Sequence, residues 1–368
     1  MVQQGRAAAW LRAWDSQGLH RTGTEGDHAG ADWVAAEAAA MGAAVTVESF
    51  LFDRLDPGEC YLEIGGARIA GVPVFDAPPT SGVVGQLGVP DGIAVAGLAP
   101  WAVYTGEYRR LREAGQHRAL VIRCSGAKPG LGLLNAEQFR TAYGAPSIHI
   151  DTGSILADGQ PARLVSESVR TRTEARNIVV TLKGSDPARP PVVVMTPRSS
   201  WWQSTAERGG GLVCWLETLR ALLAAPPACD VILTANSGHE LGHLGLDDFC
   251  ARRQGWDQPG GAVWVHYGAN IGAAGGALSV VSPDEALRGA MRAALTEAGQ
   301  PPDTMAPTTL VPNGETRDIH HTGGRYVTLV GTNAWFHLPD DRWPDTVDVP
   351  AITRVAAGAA RMVVGLTR

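Results

Sequence analysis

The chain has 368 residues, 45% of them hydrophobic and 18% charged, with a formal net charge of −6. That balance belongs to a packed globular protein and excludes intrinsic disorder, and the length suits one large α/β domain or two of ordinary size. An acidic balance without a basic run argues against a nucleic-acid partner, and no stretch approaches the roughly twenty apolar residues of a membrane helix.

The N-terminal "MVQQGRAAAWLRAW" has no apolar core followed by a small-residue cleavage site, so a cytoplasmic protein is expected. Five cysteines (Cys60, Cys124, Cys214, Cys229, Cys250) show no C-x-x-C spacing and read as reduced, mostly buried thiols. In "TEGDHAGADWVAAEAAAMG", Asp27 can cap a helix that buries Val34, Ala38 and Met41, and Gly42 can end it. The strand "AAVTVESF" follows. From about 50 to 165, short β-like runs alternate with Gly/Pro turns and one helical pattern, "GEYRRLREAG", which describes a small β-rich module.

Beyond it the pattern is regular α/β. "PVVVMT", "CDVILTAN", "GAVWVHYGANIG" and "GRYVTLVGT" are apolar runs suited to strands covered on both faces. Between the first two, Leu212, Leu216, Leu219 and Leu223 share one helical face, and "PAITRVAAGAARMVVGL" closes the chain as an amphipathic helix. The expected fold is α/β, a mixed and largely parallel sheet sandwiched by helices. No internal repeat is visible.

The stretch "ANSGHELGHLGLDDF" can be read in two ways. As H-E-x-x-H, His239, Glu240 and His243 would form the metal site of a helical zinc protease. That reading needs the motif in mid-helix, whereas here it begins directly after the strand-like "VILTAN" and Gly238. The extended motif also fails, because Leu246 and Phe249 stand where its Gly and third His belong.

Five segments in order, "VVVMTPRSSWW", "TAERGGGLVCWLETLRAL", "ILTANSGHELGHLGLDDF", "WVHYGANIG" and "WFHLPDDRWPDTVD", resemble the zinc aminopeptidase family that includes bacterial leucyl aminopeptidases and the divergent glutaminyl cyclases. The resemblance spans nearly the whole chain. It implies a discontinuous catalytic domain at 1–45 and 168–368, interrupted at 46–167 by a module similar to the protease-associated insert. It also implies that one of the family's two metals is lost, since the matching positions are Pro197 and Ala269. The other metal's positions are Glu207, Glu240 and His337, a ligand set suited to one divalent ion, zinc.

His239 falls where the family has its general-base Glu, as a proton acceptor or an additional ligand. Arg198, Ser199, Trp201 and Trp202 would line the place of the lost metal, a wall suited to a planar or anionic substrate. A Ser199–His239 nucleophilic pair lacks the G-x-S-x-G elbow. His243 reads as a packed histidine behind the ligands, and His320 with His321 faces either the pocket or solvent. The function expected is a mononuclear metal-dependent hydrolase or cyclase acting on an amide-like C–N bond of a small molecule or short peptide. The alternatives are a metal-free pseudoenzyme that binds a ligand or partner, and the H-E-x-x-H protease. Whether the chain forms a homo-oligomer is left open.

Overall fold

The computed structural model describes residues 4–113 and 115–368. Two helices, α1 (Gln4–Asp15) and α2 (Glu25–Ala40), lead into the long strand β1 (Val45–Ile64). The module follows with β2 (Ala67–Pro73), β3 (Thr80–Gln86), β4 (Ile93–Leu98), α3 (Gly106–Glu113), β5 (Ala119–Cys124) and β6 (Ser147–Ile150). A second long strand, β7 (Pro161–Leu182), returns to the larger domain. There the order is β8 (Val192–Pro197), α4 (Thr205–Ala224), β9 (Val231–Asn236), α5 (Leu244–Arg252), β10 (Val263–Tyr267) and β11 (Leu278–Val281). The chain ends with α6 (Glu285–Glu297), β12 (Thr304–Met305), α7 (Thr316–His321), β13 (Arg325–Gly331) and α8 (Val349–Leu366).

The strands follow one path, β12-β11-β13-β10-β8-β9-β7-β1-β2-β6-β5-β4, with β3 beside the outer part of β7. β13, β10, β8 and β9 run parallel, and β7 and β1 add antiparallel strands at the edge of that block. The mixed sheet expected from the apolar runs is therefore present. Strand periodicity divides the core between its faces. Val192 and Val194 of β8 point to one side, with α1, α2, α4, α6 and α8, while Val193 and Met195 point to the other, with Phe249 of α5 and Ile319 of α7.

α8 is long and apolar enough by composition to cross a membrane, but half of it is buried against the rest of the chain, where it packs on α4 and α6. All five cysteines are free thiols, three of them buried. Asp27 does not cap α2; Thr24 holds that position, and Asp27 is fully buried in the first turn. Gly42 ends the helix as expected, at φ 91°.

β1 and β7 pair antiparallel from Val45↔Val180 to Ile64↔Ala162, with one irregularity between Pro57 and Cys60. The expected domain boundaries at 45/46 and 167/168 fall within these two strands, so each strand belongs to both the core and the module. On the opposite side, the start of α4 presses on the loop after β10. A Cβ on Gly210 would lie 1.9 Å from the Ile271 carbonyl oxygen, so only glycine fits there. That contact sets where Glu207 and Arg208, one turn earlier, can stand.

Two histidines are built into the packing. His20 stacks on Trp14 with ring centroids 3.5 Å apart, and His149 accepts the Leu134 amide at 3.1 Å. Burial pushes both down to about 3. In the unfolded chain they would titrate near ~6.5. The folded form is therefore penalised as pH falls from about 6.5 towards 3, by up to about 1.4 kcal/mol per pH unit for each group. Thermal melts are expected to lose stability progressively below about pH 6.5. A His20→Gln/His149→Gln double variant should show a shallower slope over that window, whatever its stability at neutral pH.

Candidate active site

The "GHELGH" letters do not form a helix. β9 ends at Asn236, Gly238 turns the chain at φ 82°, and a single 3-10 turn spans His239–Leu241. Gly242 (φ 74°) and His243 (φ 60°) are also left-handed before α5 begins. This removes the mid-helix geometry of the zinc-protease reading. The kink still brings His239 and His243 together, with ring centroids 5.3 Å apart.

Glu240 points the other way. Its Oε1 accepts the Thr22 amide and hydroxyl, each at 2.7 Å, and Oε2 accepts the Ser199 hydroxyl at 2.7 Å. Burial pushes its pKa up, and these donors partly offset the shift. The expected trio Glu207–Glu240–His337 is therefore only partly assembled. Glu207 Oε1 lies 3.6 Å from His337 Nε2, and neither group's atoms find a hydrogen-bond partner there. The Arg208 guanidinium occupies that neighbourhood instead, with Nη2 2.7 Å from Glu207 Oε1 and Nε donating to the Ser199 carbonyl at 2.8 Å. The Arg208–Glu207 contact is an ion contact without hydrogen-bond alignment, which leaves Nη1 and Nη2 unpartnered. A family-type metal does not fit these positions. Pro197 and Ala269 offer no ligand, both Glu240 oxygens are engaged, and a buried cation already touches Glu207.

The other expected wall residues are structural. Arg198 is fully buried, 2.6 Å from Asp27. Ser199 donates to Glu240 and accepts the His239 amide at 3.0 Å, so it does not pair with the His239 ring as a nucleophile. Trp201 packs on Phe75 and donates to Asn135, and Trp202 donates to the His337 carbonyl at 2.9 Å. His320 meets the Tyr326 hydroxyl at 3.0 Å and does not reach the cavity.

A cavity of about 470 Å³ opens where the module covers the larger domain. Pro100, Trp101, Tyr104 and Asn135 form its module side, and His239, His266, Asn270, Glu315, Phe336 and His337 line the opposite side. His239 Nδ1 lies 2.7 Å from Glu315 Oε1, and His266 Nε2 lies 3.3 Å from Glu315 Oε2. Burial raises the Glu315 pKa, but the surrounding imidazoles outweigh it and hold the carboxyl well below its usual range. Burial, reinforced by Arg208, lowers His239. The pair is therefore a carboxylate accepting Nδ1–H from a neutral ring.

Behind His239, His243 Nδ1 lies 2.7 Å from Asp318 Oδ2, and its Nε2 is buried without a partner. Burial lowers His243, but Asp318, Glu315 and Glu137 outweigh it and raise the ring to about 9. His239, His243 and Glu315 each offer a ligand atom, and these atoms lie within 4.8 Å of one another. Glu315 and His266 were missed as site residues from sequence. Their signals were a charged residue in the polar run "GETRD" and one histidine inside the apolar strand "VWVHY".

No protein-family model and no curated protein matches the sequence. Solved structures do match the fold. A zinc aminopeptidase from Bacillus subtilis superposes with a TM-score of 0.80 at 17% identity, covering 100% of this chain and 96% of that one. An aminopeptidase from an Aneurinibacillus species gives 0.75 at 14%, covering 100% and 94%. A peptidase M28 precursor from Shewanella amazonensis gives 0.73 at 15%, covering 99% and 94%. The fold is that of the zinc aminopeptidases.

Glu240 is thus expected to matter for stability. Glu240→Ala would leave three buried donors without an acceptor and should cost about 3 kcal/mol in denaturant unfolding. Glu240→Gln should cost less, because the Ser199 hydroxyl can turn to accept. An alanine variant as stable as the parent would contradict this assignment.

Proposed function

We propose that this chain is a hydrolase acting on an amide-like C–N bond of a small molecule or short peptide, with one divalent ion, zinc, held at the cavity floor by His239, His243 and Glu315. The observation that carries this reading is the convergence of two imidazoles and one carboxylate, His239 and Glu315 lining the cavity and His243 behind them, with His243 Nε2 and Glu315 Oε2 buried and unpartnered. Two histidines and a carboxylate with an open position are a familiar ligand set for catalytic zinc. Asp318 on His243 Nδ1 orients that ring, as carboxylates do behind metal-bound histidines. The name of the Bacillus subtilis neighbour agrees with the choice of ion. When bound, the ion would polarise a carbonyl or lower the pKa of a water.

The remaining work falls to His337. Its Nδ1–H donates to the Leu133 carbonyl at 2.7 Å, so Nε2 carries the lone pair. Burial lowers this histidine, which keeps it neutral and able to take a proton at Nε2. Glu207, 3.6 Å away, would then stabilise the imidazolium. Relative to the sequence reading, His239 and His337 exchange roles. His239 becomes a ligand and His337 the proton acceptor.

One observation favours a second reading. The His239–Glu315 separation of 2.7 Å is a hydrogen bond, which a metal-free cleft would keep, with His239 itself as the base.

Zinc titration of chelator-treated protein separates the two. One tightly bound equivalent is expected, and His243→Ala should weaken it on the order of 10²-fold or more. Asp318→Asn should have a smaller effect in the same direction. Glu207→Gln and His337→Gln should keep the ion, and the His337 variant should lose turnover. Absence of binding would leave only the metal-free reading, and binding indifferent to His243 would put the ion at residues other than those proposed.

A further inference from the structure

The cavity that holds this site also carries information about the charge of its ligand. A free α-ammonium buried at the floor would need a carboxylate to pair with, since an unpaired buried charge is strongly disfavoured. Among the described residues lining the cavity, Glu315 is the one carboxylate, and both its oxygens face imidazoles, at 2.7 Å and 3.3 Å. Glu207, just behind the floor, is already in contact with Arg208 at 2.7 Å. Each of these carboxylates is already engaged by side chains of the protein itself, Glu315 by His239 and His266 and Glu207 by Arg208 and His337.

A neutral acceptor is present instead. Asn270 sits at φ 66° and is 5% exposed, and its Oδ1 is buried with no hydrogen-bond partner. Its Nδ2 reaches the Gly331 carbonyl only at 3.5 Å, a weak contact that still turns the amide nitrogen away and leaves Oδ1 to accept. Trp101 on the module side and Phe336 on the side of Asn270 offer apolar surface, and Trp101 is 53% exposed at the cavity edge.

We infer that the cavity takes an uncharged amide, with its amino end acylated or otherwise blocked and an apolar side chain, whose N–H is accepted by Asn270 Oδ1, and that it rejects the free α-ammonium of a peptide. This rests on the hydrolytic reading of the same cavity, and it deepens that reading by naming the substrate class.

The test pairs N-acetyl-phenylalaninamide with phenylalaninamide in calorimetric titrations of the zinc-supplemented full chain, alongside turnover of the corresponding p-nitroanilides. The blocked amide should bind tighter by on the order of 10-fold or more, as expected when a buried partner is matched or missed. Asn270→Ala should erase most of that advantage. Asn270→Asp, which tolerates the left-handed backbone, should shift preference towards the free amine by placing a carboxylate at the same point. Equal or tighter binding of phenylalaninamide by the parent protein, or binding of neither compound, overturns the inference. Binding of the blocked amide without turnover sustains it and removes the hydrolase reading. Turnover with preference for the free amine does the reverse.

Discussion

The buried pair between Asp27 and Arg198 is the constraint on which the site depends. Both side chains are fully buried, and they meet at 2.6 Å. A buried ion pair is tolerable only when its remaining donors and acceptors are also met. Here most of them are: Asp27 accepts from the Gly23 amide and the Ser237 hydroxyl, and Arg198 also donates to the carbonyls of Asp27 and Arg176, while its Nε has no partner. The pair therefore joins four segments: the start of α2, the ends of β8 and β9, and β7. It holds Thr22 beside Glu240, and with it Ser199, whose hydroxyl receives the His239 amide. The backbone at His239 is thus held from outside the cavity, while Glu315 within it holds the ring.

This explains why the fold was more legible in the sequence than the site. Period-two and period-3.6 patterns are local, and the runs in β8, β9 and β10 announced their burial directly. Gly238 and the polar Asn236-Ser237 argued correctly for a strand end against a continuous helix. Which way Glu240 faces, however, is decided by Thr22, 218 residues away in the chain. Arg198, Trp201 and Trp202 raise the same difficulty, since each stands next to the cavity in sequence terms and is used up by a distant partner. Glu315 and His266 come from separate segments and carry no spacing relative to His239 that a pattern could capture.

The fold's solved neighbours include zinc aminopeptidases, yet the five positions that resemblance assigns to metal ions hold a proline, an alanine, a hydrogen-bonded glutamate, an ion-paired one and a histidine. Arg208 supplies fixed positive charge at that spot. Its field lowers both His239 and His337. Function must therefore be argued from side chains and not from architecture.

The joining of the module to the core by β1 and β7 has a consequence for how such a chain can vary. An insert hung on loops tolerates additions of any length, but this one continues two paired strands of the core. Adding two residues to both strands would keep every side chain on its own face while lifting the cavity roof by about 7 Å. Adding one would turn the outer half inside out, apolar for polar. The offset between Pro57 and Cys60, where three steps on β1 face two on β7, is the kind of extra residue that a bulge can absorb. Roof height in relatives built this way should therefore change in paired steps, with odd changes found only where a bulge takes up the remainder.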